Sequence, residues 1–249
     1  MKLIYIPFQF LWRIYFLLLF AVIFIIHYPI FVFLLASRKR YGMAFKLKRF
    51  VAIMSVKLSG LRIKINKDAD LTLNKTVVVC PNHTSYLDIA LIYCFFPNYF
   101  VFMGKHQLRK VPLFGIFFKD QDIGVDRRSK LKAHKAFLRA GGELDKGCSV
   151  VMFPEGTIST KAPELKPFKN GPFKLAIEKQ VPILPITFVN NFRLFPSKMR
   201  MNRIGFPGQA IVVVHQPIST AGMSEDNLIS LRQKVYNQIE GSIKNYYEG

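Results

Sequence analysis

His83 stands just after the apolar run Val77-Val78-Val79, in the segment NHTSYLD, and Asp88 follows five residues later. An imidazole with one nitrogen held by a carboxylate is a general base fixed in one tautomer, able to draw a proton from an alcohol. Inside one regular helix that spacing would put the two side chains on different faces. The pairing therefore requires His83 in a loop and Asp88 in the first turns of the next helix, where the helix dipole also favours a carboxylate. On this segment alone, a polar strand end followed by a helix start is the simpler account of the residues. FPEGTIS, residues 153–159, follows the apolar run SVVM. It gathers Glu155, Gly156 and Thr157, a carboxylate, an open backbone amide and a hydroxyl, a set suited to a polar headgroup or to a surface turn. VDRRS, residues 125–129, carries Arg127 and Arg128, whose planar forks suit phosphate and are also ordinary solvated surface groups.

Strands and helices must bring these loops together. From Leu61 onward, short apolar runs read as strands at 62–66, 76–80, 99–103, 123–125, 149–153, 183–189 and 210–218. Helices fall between them at 85–95, opened by Thr84 or Ser85, at 129–144 and at 171–180. Ser224 caps a last helix whose apolar stripe is Leu228, Leu231, Val235, Ile239 and Ile243. Near-continuous apolar strands alternating with helices imply an α/β fold, with a mixed, largely parallel sheet covered by helices.

The N-terminal part differs in character. Residues 14–36 are apolar over a length sufficient to enter or cross a bilayer, and are too long for a cleavable signal. Pro29 within them is expected to kink the helix. Met43, Leu47, Phe50, Met54 and Leu58 then share one helical face, with Lys46, Lys48, Arg49 and Lys57 elsewhere, the pattern of a helix lying in an anionic interface. This divides the chain into membrane-anchoring helices at 1–60 and an α/β domain at 61–249. The cluster Arg38-Lys39-Arg40 places that domain on the cytoplasmic side. The net charge of +21 calls for an anionic partner, and no acidic residue precedes Asp68. Basic charge beside apolar surface fits a lipid bilayer rather than nucleic acid, for which no zinc-finger or RNA-binding signature is present. Cys80, Cys94 and Cys148 lie in or beside apolar runs and read as small buried hydrophobes. Residues 191–203 mix Phe192, Leu194, Phe195, Met199 and Met201 with four cations, and read either as a second membrane contact or as a loop packed on the core.

In order, NHTSYLD, VDR, FPEGT and VPILPI (181–186), with GKHQLRKVPLFG (104–115) and FKNGPFKLA (168–176) between them, resemble the glycerolipid acyltransferase family, in particular its bacterial 1-acylglycerol-3-phosphate acyltransferases. The resemblance spans about residues 61–190. It implies that His83 is the general base and Asp88 its orienting partner, with Lys105, Arg127, Glu155, Gly156 and Thr157 binding substrate. It implies acyl transfer from a thioester to a lysophospholipid acceptor, 1-acylglycerol-3-phosphate, giving phosphatidic acid. Acyl carrier protein or coenzyme A carries the acyl group as co-substrate, and neither a metal nor an organic cofactor is required. The implied location is the cytoplasmic face of a bacterial inner membrane. One departure matters: the family's third block commonly continues FPEGTR, and here Ile158 takes the arginine's place. Either other cations, among Lys105, Arg127, Arg128 and Lys161, hold the phosphate, or the acceptor is a different lysolipid, for example an aminolipid. A serine hydrolase using Ser85 is the remaining catalytic alternative, though no G-x-S-x-G elbow is present.

Overall fold

Val77 and Val79 point to one face of a sheet, and Val78 and Cys80 to the other; all four are fully buried. A strand needs apolar residues at every position only when both faces are covered, and that is the architecture found. The structure, a computed structural model, describes residues 6–67, 76–126, 128–198 and 204–248. In chain order the elements are α1 (Ile6–Leu35), α2 (Tyr41–Leu58), β1 (Arg62–Lys67), β2 (Val78–Pro81), α3 (Leu87–Phe95), β3 (Phe100–Lys105), α4 (Phe117–Asp120) and β4 (Ile123–Val125). They continue with α5 (Lys130–Asp145), β5 (Ser149–Met152), α6 (Gly171–Lys179), β6 (Ile183–Phe188), α7 (Asn191–Leu194), β7 (Gln209–Val214) and α8 (Leu228–Glu248). The seven strands form one sheet in the order β1-β7-β6-β2-β5-β3-β4. All neighbours are parallel except β6 and β7, which run antiparallel. The mixed, largely parallel α/β fold expected from the sequence is the fold observed.

α5, α6 and α8 cover one face, and α8 buries the stripe Leu228, Leu231, Val235, Ile239 and Ile243. α1, α2 and α3 cover the other, where Trp12, Phe16, Phe45 and Val56 share a core with Val79, Phe100 and Leu184. α1 and α2 lie antiparallel. Trp12 Nε1 donates to Ser59 O at 2.9 Å, Tyr15 Oη to Leu58 O at 2.8 Å, and His27 meets the Phe50 ring at 5.5 Å between centroids. At the far end Phe31 packs edge-on against Phe117 at 5.0 Å. The 30-residue α1 is thus docked along its length, and it continues through Pro29. Its other face, Leu11, Leu18, Val22, Ile25, Ile26 and Phe33, is exposed. By length and composition α1 is a candidate membrane-association helix.

One reading of this region needs correction, and one open alternative is decided for three residues. Lys48 is not a surface cation of α2. It is buried and bridges Asp122 at 2.8 Å, over the Phe117 ring at 4.4 Å. Its partner lies 74 residues away, and the other Asp122 oxygen accepts from Phe102 N at 2.9 Å. Of the two readings of 191–203, Phe192, Leu194 and Phe195 follow the core-packed one. All three are buried, and Phe195 packs on Phe16 at 4.7 Å; Met199 and Met201 lie outside the described residues. α2 does keep Met43, Phe50 and Leu58 exposed on its outer side.

Candidate active site

β2 ends at Pro81, and the chain leaves the sheet through four buried polar residues, Asn82-His83-Thr84-Ser85. Asn82 fastens this exit to β6: its side chain donates to Phe188 O at 3.0 Å and accepts from Phe188 N at 2.7 Å. Asp88, in the first turn of α3, reaches back over the loop as its spacing requires. One oxygen, Oδ2, lies 2.9 Å from His83 Nδ1 and accepts from Thr84 N at 2.7 Å and Ser85 N at 2.9 Å. The second, Oδ1, accepts from Asn191 Nδ2 at 2.7 Å. A carboxylate only accepts, so Nδ1 carries the proton and Nε2 is the basic nitrogen. The imidazole stacks on Phe153, with centroids 3.9 Å apart and planes 18° apart. Bonded at one edge and stacked on one face, the ring is held in orientation.

The loop after β5 wraps this histidine. His83 N donates to Glu155 Oε1 at 2.8 Å, and Ser159 N donates to His83 O at 2.8 Å. Glu155 was expected among the headgroup-binding groups. Its carboxylate instead points inward, the second oxygen accepting from Lys166 N at 3.2 Å, so it ties two loops together. Burial pushes its pKa up to about 7 against a usual 4.5, more than the two backbone donors lower it. Gly156 turns the chain with φ +72°, a left-handed conformation that suits glycine. Lys105, at the end of β3, and Thr157 are both exposed at the mouth, with Nζ and Oγ1 3.3 Å apart. Arg127 lies outside the described residues. Arg128 and Lys161 are exposed, neither forming an ion pair among the described residues.

Two residues of this site were not read from the sequence. Asn191 orients Asp88 from 103 positions away, signalled only by its place at the end of β6. Lys166 sends its side chain back across the loop, Nζ donating to Ile158 O at 2.9 Å. A cation therefore stands beside the residue where the expected arginine is missing, and nothing in the local pattern marks it. All of these groups meet at the carboxyl ends of β2, β3 and β5, where an open parallel sheet leaves a crevice.

A buried His–Asp pair on a strand-end loop, with cations at the rim of the crevice, is a site for deprotonating a hydroxyl next to an anionic group. Residues 62–189 match the family model described as Acyltransferase, and the chain belongs to that family. Among particular relatives, an acyltransferase of Schizosaccharomyces pombe is 34% identical, the match covering 82% of this chain and 69% of the relative. The 1-acyl-sn-glycerol-3-phosphate acyltransferase of Haemophilus influenzae is 29% identical, over 75% of this chain and 76% of its own. In fold the chain is similar to the crystal structure of the 1-acyl-sn-glycerophosphate acyltransferase PlsC from Thermotoga maritima. The TM-score is 0.76 at 22% identity, covering 96% of this chain and 97% of the other.

Proposed function

We propose that this acyltransferase moves a fatty acyl group from a thioester to the free hydroxyl of 1-acylglycerol-3-phosphate, producing phosphatidic acid at a membrane surface. The observation that carries the reading is the 2.9 Å contact of His83 Nδ1 with Asp88, which makes Nε2 the proton acceptor. The acceptor hydroxyl attacks the thioester carbonyl carbon as its proton passes to Nε2. Asp88 stabilises the imidazolium, a tetrahedral adduct forms, and its collapse breaks the carbon–sulfur bond. The imidazolium returns its proton to the leaving thiolate. Lys105 and Lys166 support a phosphate acceptor, with Arg127 a third cation by resemblance. The names of the relatives agree. The donor is acyl carrier protein or acyl coenzyme A, since both are anionic and both suit a chain of net charge +21.

The outward apolar faces of α1 and α2 support attachment in the plane of one leaflet, because both helices are already fastened to the sheet. The basic cluster at 38–40 supports the cytoplasmic face of a bacterial inner membrane. The test is purified protein offered both donors and a panel of lysolipids differing only in headgroup, alongside His83→Ala. Phosphate-headgroup acceptors should be acylated, and His83→Ala should lose about 10²–10⁴ in turnover while staying folded. Preference for a zwitterionic headgroup would instead support the aminolipid acceptor. A folded His83→Ala protein with normal turnover would remove the base assignment.

A further inference from the structure

Between β3 and α4 the chain makes a tight knuckle that the catalytic reading leaves unused. After Lys105 it turns through His106–Lys110 and doubles back, with Val111 N donating to Leu108 O at 3.2 Å and Gly115 N to Val111 O at 2.8 Å. The crossing is so close that a Cβ on Gly115 would sit 2.2 Å from Arg109 O, which only glycine permits. Leu113 takes φ 61° and ψ −44°, a backbone conformation unfavourable for any residue bearing a side chain. The outcome is an outward tip: Arg109, Lys110, Val111, Pro112 and Leu113 are all exposed, Val111 at 43% and Leu113 at 46%. Neither cation forms an ion pair among the described residues. Directly behind the tip, Phe114 packs on Phe24 of α1 at 6.2 Å and on Phe117 at 5.3 Å. Phe24 lies inward on α1, and its neighbours Val22, Ile25 and Ile26 form the exposed apolar face.

We infer that Arg109–Leu113 is a second membrane contact, contributed by the catalytic domain itself, whose apolar tip enters an anionic leaflet while its two cations meet the headgroups. Scattered exposed apolar residues require no explanation. A contiguous Val-Pro-Leu tip preceded by two cations and rigidly built fits a lipid surface. With α1 and α2 it gives two separate points of attachment. The knuckle begins at Lys105, so inserting it brings the mouth of the His83 crevice to headgroup depth.

Two measurements on the full chain test this. A spin label on Leu113→Cys, in a Cys94→Ala background, is compared on phosphatidylglycerol-containing vesicles with the same label on Tyr246→Cys, an exposed site on α8. The label at 113 should gain protection from a water-soluble nickel relaxant and exposure to oxygen, and the one at 246 should not; equal nickel accessibility at both sites overturns the inference. The second variant is Leu113→Gly, which relieves the backbone and removes the apolar tip. Its Tm should hold or rise. Its apparent KM for acceptor presented in vesicles should rise about tenfold, the loss of one leucine from an apolar phase, with kinetics on a short-chain monomeric acceptor unchanged. An unchanged vesicle KM, or an equal loss on both acceptors, overturns it.

Discussion

Asp88→Asn separates the charge of the proposed catalytic pair from its shape. In the native site Asp88 Oδ2 takes three hydrogen bonds, at 2.9, 2.7 and 2.9 Å, and Oδ1 takes one from Asn191 at 2.7 Å. An asparagine that keeps its oxygen at the Oδ2 position keeps all three and turns its NH2 toward Asn191. Asn191 Oδ1 is buried and forms no hydrogen bond, so half a turn of that amide converts a donor–donor clash into a donor–acceptor pair. The loop and the histidine tautomer should therefore survive, leaving charge as the only loss. A hydrogen bond to a charged group contributes about 1.5–3 kcal/mol, against about 0.5–1.5 kcal/mol for a neutral one. Losing that difference as the imidazolium forms should lower kcat about 5- to 15-fold. Steady-state kinetics with a thermal melt measure turnover and stability together. Wild-type turnover in the variant would show that the charge is unused, and loss of the fold would show that Asn191 does not turn.

Glu155→Gln should alter how stability depends on pH. The native carboxyl has a folded pKa of about 7 against 4.5, so its contribution is fully present below 4.5, erodes as pH rises and is gone above about 7. That span corresponds to about 3 kcal/mol of wild-type stability; Tm measured from pH 4 to 8 should fall in the wild type and lack this component in the variant. Lys48→Met leaves Asp122 charged and unpaired in the core and should cost about 3–5 kcal/mol, read by chemical denaturation. Adding Asp122→Asn should recover part of that loss. Replacing Met43, Phe50 and Leu58 with serine should reduce co-sedimentation with vesicles without lowering Tm, since none of the three is buried.

Apart from the edge strand β1, whose Arg62, Lys64 and Lys67 are exposed, the sheet was legible because its strands are covered on both faces and so are mostly apolar; 183–189 and 149–153 needed no other signal. α8 was legible for the opposite reason, its single buried stripe repeating at helical period. Long-range polar partners were not. Lys48 reads as a solvated lysine because Asp122 is remote in sequence, and Asn191 reads as a strand-end asparagine for the same reason. The His83–Asp88 contact was readable because both residues lie within one loop and one helical turn. The inward turn of Glu155 depends on where the Lys166 amide falls in a long loop, which no local periodicity dictates. The direction of β7 also escaped, since an apolar strand looks the same whether its neighbour runs with it or against it.

Arg13 of α1 donates to the carbonyls of Pro196 and Ile204, 183 and 191 positions later, at 3.0 and 2.9 Å. On the ribosome that helix is made long before its partners exist. At about 5–20 residues per second, roughly 10–40 seconds separate the two ends of the contact. During that interval the apolar residues destined for the core beneath the sheet, Trp12 and Phe16, are as uncovered as those that stay outside. On the proposed membrane reading, the bilayer receives α1 early, and the sheet closes onto a helix already lodged there. On that reading, order of synthesis makes attachment a step in maturation as well as a property of the folded chain.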